Sequence, residues 1–188
     1  MNNLNTNSTL QLEGRIDRKT HSVADLRAAT EDYDSLSSEE KLQLTREVEA
    51  VDEETVYNVT TESLHEYFVD NLDPDNTSPE ANVSVSWLGL GTDSASGTST
   101  ADTDLNTRTF EKQVTDVADS SDQLLASTFL DSTDGNGNDF DELGLFSGDP
   151  ANIGNAEVFL INHATFNAVT KDNSKTVTFD VTLTFSDV

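Results

Sequence analysis

The chain has 188 residues, and its 36 Asp and Glu against 10 Lys and Arg give a formal net charge of -26 at pH 7. That balance excludes a phosphate-backbone partner such as nucleic acid, because no basic stripe exists to displace counterions. The absence of cysteine excludes a disulfide framework, a thiol nucleophile and a cysteine metal site.

In chain order, residues 1 to about 20 are polar and rich in Asn and Thr, with Leu4, Leu10, Leu12 and Ile16 spaced without one clear period. They read as an extended arm whose apolar groups await another surface, and so as the assembly element. This stretch has no apolar h-region and the sequence holds no run of about 18 apolar residues, so neither an ordinary signal peptide nor membrane insertion is expected. From Ser22 the pattern turns helical. Ser22 with Asp25 and Ser37 with Glu40 have N-cap and N3 spacing, and Leu44, Val48 and Val51 recur at helical intervals. A third short helix is expected in "TESLHEYFVDNL", where Leu64, Phe68 and Leu72 make one stripe that stops before Pro74.

The turn-rich segment Pro74 to Asn82 ends the helical periodicity, and a period of two follows. Val83, Val85 and Trp87 alternate with polar residues. So do Val177, Phe179, Val181, Leu183 and Phe185 in "KTVTFDVTLTF". Between them "RTFEKQVTDV", "DQLLASTFL" and "VFLINHATFNAVT" are bounded by Gly, Asp, Asn or Ser, so six to eight short strands fit residues 83–188. The expected fold is mainly β: an antiparallel β-sandwich, jelly-roll-like, or an open barrel over residues 80–188, preceded by an arm and short helices over residues 1–73.

Few residues carry a signature of chemistry. "DGNGNDFDE" suggests calcium, but counted from Asp134 the central glycine position holds Asp139 and the bidentate glutamate position holds Leu145. His21, His65 and His163 lie in three segments without metal-ligand spacing. No nucleophile elbow and no phosphate loop with its lysine is present. Carboxylate pairs abound and therefore say little, while one Trp and three Tyr are few for a glycosidase groove. Sequons at Asn7, Asn58, Asn76 and Asn82 are weakly informative. No catalytic residue, metal ligand or cofactor is assigned. The acid is spread along the whole chain, and self-repulsion on such a surface vanishes only where the screening length falls from about 10 Å at ~0.1 M salt to about 3 Å at ~1 M. This is the pattern of a salt-adapted, halophilic protein.

Several motifs in fixed order carry a resemblance: "HEYFVDNL", "SWLGLGT", a Ser/Thr/Asp loop, "DLNTRTF", "FDELGLFSGD" and "LINHATFNAVTKDNSKTVTFDVTLTF". Over about residues 57–188 the chain resembles a β-rich module of tailed-virus structural proteins, including tail-fibre and head-surface components. The matching positions are Gly89 and Gly91, Asp102 or Asp104 with Leu105 and Arg108, Glu142 with Gly144, Leu145 and Phe146, then Phe166, Val169 and Lys171. His163 stands where that family often has Arg, so an Arg partner for Glu142 is not assured. The resemblance implies a non-enzymatic virion protein of a virus of halophilic archaea. Its partners would be other capsid or tail proteins and copies of itself, with host-surface glycans as a further partner. Glu142 would then be a structural carboxylate, paired with Arg108 or a backbone amide. A glycan-binding adhesin is the first rival reading and a glycoside hydrolase the second.

Overall fold

The computed structural model describes residues 10–72, 84–155 and 158–187. Leu4, the turn at residues 74–82 and the sequons at Asn7, Asn76 and Asn82 lie outside them. The protein is mainly β. The strands are β1 (Leu10–Ser22), β2 (Asp52–Thr60), β3 (Trp87–Gly91), β4 (Arg108–Gln113), β5 (Asp116–Ser120), β6 (Gln123–Leu130), β7 (Asp139–Phe146), β8 (Leu160–Thr170) and β9 (Lys175–Asp187). They form one antiparallel sheet in the order β4-β3-β7-β8-β2-β1-β9-β6-β5, curled into a half-barrel.

The two ends of that order are consecutive in sequence. Val114 N donates to Ser86 O beside β3, and Thr115 N donates to Ser127 O on β6. Adjacent residues of an extended chain point their backbone groups to opposite sides, so this two-residue link ties one edge of the sheet to the other. Inside the curl lies one apolar core. Leu88, Leu90, Phe140, Leu143, Leu145, Ile161 and Ala164 from β3, β7 and β8 join Ile16, Ala126, Leu130, Val177, Phe179, Val181 and Leu183 from β1, β6 and β9.

Three α-helices stand among the described residues: α1 (Val23–Ala29), α2 (Ser38–Thr45) and α3 (Glu62–Leu72). Both expected caps form. Ser22 Oγ accepts from Asp25 N, and Ser37 with Glu40 makes a reciprocal capping box. α2 covers the outer face of β6 and β9, where Thr45 Oγ1 meets Thr178 Oγ1 at 3.3 Å. The helical spacing of Leu44, Val48 and Val51 does not extend α2, which ends at Thr45; Val51 is 58% exposed and leads into β2.

The expected arm and the expected boundary between residues 1–73 and 80–188 need correction. β1 pairs with β9 along its whole length, from Leu10↔Asp187 to Ser22↔Lys175, and with β2 from Gly14↔Asn58 to Thr20↔Asp52. Leu10, Leu12 and Ile16 therefore sit within a central strand, and Ile16 is fully buried in the core. Residues of the supposed first unit occupy two strands between β8 and β9, so both units share one sheet. The reason the alternation was hidden is physical. The inward positions of β1 after Leu12 are Gly14, Ile16, Arg18 and Thr20, of which only Ile16 looks like core. Gly14 is required because the Asn58 side chain lies where its Cβ would be. Arg18 is tolerated inside because Asp52, Glu54 and Thr20 take its guanidinium.

Candidate functional site

β7 holds the carboxylate singled out by the sequence. Register shifts in the β7–β8 ladder fall between Phe140 and Glu142 and again between Leu145 and Phe146. Because of the first, Phe140, Leu143 and Leu145 all reach the main core. Phe146 instead joins Leu105 and Leu160 in a separate apolar cluster. Glu142 is fully buried. Its Oε1 accepts from Thr107 N at 2.7 Å, and its Oε2 accepts from Asn106 N at 3.0 Å and faces His163 Nε2 at 3.0 Å. His163, on β8, is also fully buried and presents Nδ1 to Asp102 Oδ2 at 2.7 Å. A carboxylate, imidazole, carboxylate chain thus clamps the segment from residue 92 to residue 107 onto the sheet. Asp141 adds a second grip, accepting from Ser94 N and Ser94 Oγ.

The glycines make room for this clamp. A Cβ on Gly91 would overlap the Glu142 carboxylate, and one on Gly144 would come within 2.9 Å of both Leu105 and the Asn162 carbonyl. On Gly89, which pairs with Gly144, it would lie 2.7 Å from the Phe146 ring. Arg108 is not the partner of Glu142. It bonds Asp104 and Glu111 and lies 5.6 Å from the Phe146 ring centre, while His163 and two backbone amides satisfy Glu142. Phe166 follows Thr165, the ladder partner of Glu142, but joins the main core, where it packs on Phe179 and under the Arg18 guanidinium. The structure thus joins Glu142, Gly144 and Phe146 with Leu105, and leaves Phe166 and Lys171 in other surroundings.

Lys171 is fully buried beside the loop that resembled a calcium site. Three lysines converge there. Lys41 pairs with Asp131 at 2.6 Å, Lys112 pairs with Asp134, and Lys171 Nζ donates to Asn136 Oδ1 and to the Asp172 carbonyl, both at 3.0 Å. Burial lowers the Lys171 ammonium below its ordinary value, against the pull of Asp134, Asp172 and Asp131. Burial works to raise Asp131, but hydrogen bonds from Lys41 and Ser132 outweigh it and hold the carboxyl below the usual range. The carboxylates of this loop are thereby spent on ammonium groups, and among the described residues no cluster of His, Asp and Glu has the arrangement of a metal site. Sequence reasoning missed this set because Lys41, Lys112 and Lys171 lie far apart in three separate segments, with no local spacing to betray them.

A concave region lies where β2 and β8 diverge. Their ladder covers only Val59↔His163 and Thr60↔Asn162, and past it Glu54 bridges the opening by accepting from Asn167 N and Asn167 Nδ2. A separate cleft of about 430 Å³ lies over β1, β2 and β9, lined by Arg15, Asp17, Arg18, Lys19, Glu53, Glu54, Thr55 and Asp180. Beside it, cross-strand from Arg15, Tyr57 is 80% exposed. The remaining histidines stand apart. His65 Nε2 meets Thr60 Oγ1 at 3.2 Å. His21 is fully buried under α2, with ring nitrogens near the Thr45 and Val48 carbonyls but without a well-formed bond, and burial lowers its ordinary value.

Chemically, the Glu142 cluster is committed to holding backbone: both carboxylate oxygens and both ring nitrogens face protein partners at hydrogen-bond distance. No family model matches the chain, and no curated protein or solved structure matches it.

Proposed function

We infer that the chain is a non-enzymatic structural protein of a tailed virus of halophilic archaea, carried on the tail, baseplate or capsid surface in a symmetric assembly. The observation that carries this reading is the state of Glu142. The residue at the centre of the virion-type motif is sealed under its own loop by Asn106, Thr107 and His163, as a scaffold carboxylate would be. The even acidity supports an origin in concentrated salt. In this reading the two halves of the curled sheet pack as the sandwich-like, jelly-roll-like body of the module, and symmetric repetition makes weak contacts collectively strong. Partners are other capsid or tail proteins and further copies of the chain, and the location is the virion.

The test is direct. Antibody raised against the purified protein should decorate one defined position on particles from a halophilic host, and particles without that label would remove the reading. A glycan-binding role is the second reading, favoured by the polar cleft beside exposed Tyr57. Retention of host envelope material without release of sugar would favour it, whereas released sugar would point to a hydrolase.

A further inference from the structure

The loop from Asp131 to Asp139 binds three lysines, and two of them meet a carboxylate directly: Lys41 meets Asp131 and Lys112 meets Asp134. Lys171 is the most buried of the three, yet both of its hydrogen-bond acceptors are neutral, the Asn136 side-chain amide and the Asp172 carbonyl. A buried ammonium without a direct counter-charge is the costly case. Asn136 thus occupies the place at which a third carboxylate would complete the set, with loss of the bond that its Nδ2 now donates to Ser132 O at 2.8 Å.

Asn136 is also placed to become one. It is the single asparagine in the sequence followed by glycine, and its residue is exposed to water. Gly137 has no side chain to hinder attack by its own nitrogen and holds φ at +89°. The Lys171 ammonium, 3.0 Å from Oδ1, polarises the amide carbonyl and would stabilise negative charge developing on that oxygen. We propose that Asn136 is a modification site, converted by water to aspartate, whose carboxylate then pairs with Lys171 and locks the loop. The chemistry balances. Gly137 N attacks Asn136 Cγ, the C–N bond to Nδ2 breaks, and ammonia leaves as a succinimide forms. Water then opens the ring, giving a carboxylate and returning the peptide bond. In the folded loop Gly137 N donates to Lys171 O at 2.9 Å, so this bond opens first and sets a slow pace. The same bond disfavours the isoaspartate product, whose longer backbone would misplace Gly137 N.

The experiment uses the full chain in molar salt, aged in mildly alkaline buffer and mapped by peptide mass spectrometry. Asn136 should lose its amide progressively while Asn138 in the same loop keeps its own. Retention of the Asn136 amide for as long as that of Asn138 overturns the proposal, as does isoaspartate as the main product. In parallel, Asn136→Asp should raise the denaturation midpoint, and the gain should vanish as pH falls below about 4, where a carboxylate is protonated. A midpoint equal to or below that of the parent above that pH refutes the pairing with Lys171.

Discussion

Replacing Glu142 by Gln removes one charge and no volume, and so isolates the electrostatic role of the clamp. In the parent, Oε1 accepts from Thr107 N, while Oε2 accepts from Asn106 N and faces His163 Nε2. A glutamine offers one acceptor oxygen in place of two, and its NH₂ must then face either a backbone N–H or the imidazole. At least one buried donor therefore loses its partner. Hydrogen bonds to a charged group are worth about 1.5–3 kcal/mol each, so the expected loss is about 2–4 kcal/mol. For a chain of this length each kcal/mol moves the thermal midpoint by about 2–4 °C, which gives a fall of roughly 4–16 °C. Urea titration of both proteins in molar salt reads the difference directly. The loss should persist as salt is raised, because a fully buried pair is screened far less than an exposed one. A variant within about 0.5 kcal/mol of the parent, the scatter of ordinary surface substitutions, would refute the structural assignment of Glu142.

Removal of residues 1–20 takes away nearly all of β1, the strand between β2 and β9, so the truncated chain should lose its cooperative unfolding transition by circular dichroism. Gly91→Ala drives a methyl group into the Glu142 carboxylate and should cost about 1–3 kcal/mol, measured by denaturant melts. His21 is held below its ordinary value of about 6.5 by burial, so the unfolded chain binds the extra proton first; stability present above pH ~6.5 should decline as pH falls below it, and His21→Gln should flatten that decline. The unfolding midpoint of the parent should rise steeply between ~0.1 and ~2 M salt as repulsion within the -26 charge is screened, and a flat response would contradict the halophilic reading.

What could be read from the sequence divides along physical lines. Helix caps are local events, and Ser22 with Asp25 and Ser37 with Glu40 form as their spacing implied. Strands with apolar residues on one face were equally visible: β9 alternates Val177, Phe179, Val181 and Leu183 against threonines, and all four are buried. β1 was illegible because a glycine and an arginine stand at inward positions, each explained only by a partner far along the chain, Asn58 for Gly14 and Asp52 with Glu54 for Arg18. β2 was hidden for a related reason: its segment "DEETVYNVT" is acidic at its start, and strand propensity yields to charge in a reading without tertiary partners. "RTFEKQVTDV" read as one strand is two, β4 and β5, because the link at Val114 and Thr115 hands the chain from β3 to β6. The site followed the same rule. That Glu142 has a structural environment could be read from its apolar neighbours, but its partners Asn106 and Thr107 come from the loop before β4 and His163 from β8.

The distribution of the few cations bears on how such a chain meets salt. Arg18, Lys41 and Lys171 are all buried, although lysine and arginine are rarely inside proteins. Each lies among carboxylates of the chain itself: Arg18 between Asp52 and Glu54, Lys41 on Asp131, and Lys171 within reach of Asp134, Asp172 and Asp131. Arg18 and Lys41 thus neutralise carboxylates from fixed, buried positions, and these pairs depend less on bulk ions than exposed ones do. Most of the acid is left outside, where repulsion must be screened by the solvent. Dilution of salt should consequently act first on surface elements such as β5, whose five residues are all exposed and include Asp116 and Asp119, and last on the clamp at Glu142. Hydrogen exchange followed at falling salt would show that order, with β5 and its turn to β6 opening well before β7. Simultaneous loss of protection in β5 and β7 would mean that screening acts on the whole fold at once, and that the buried pairs confer no separate resistance.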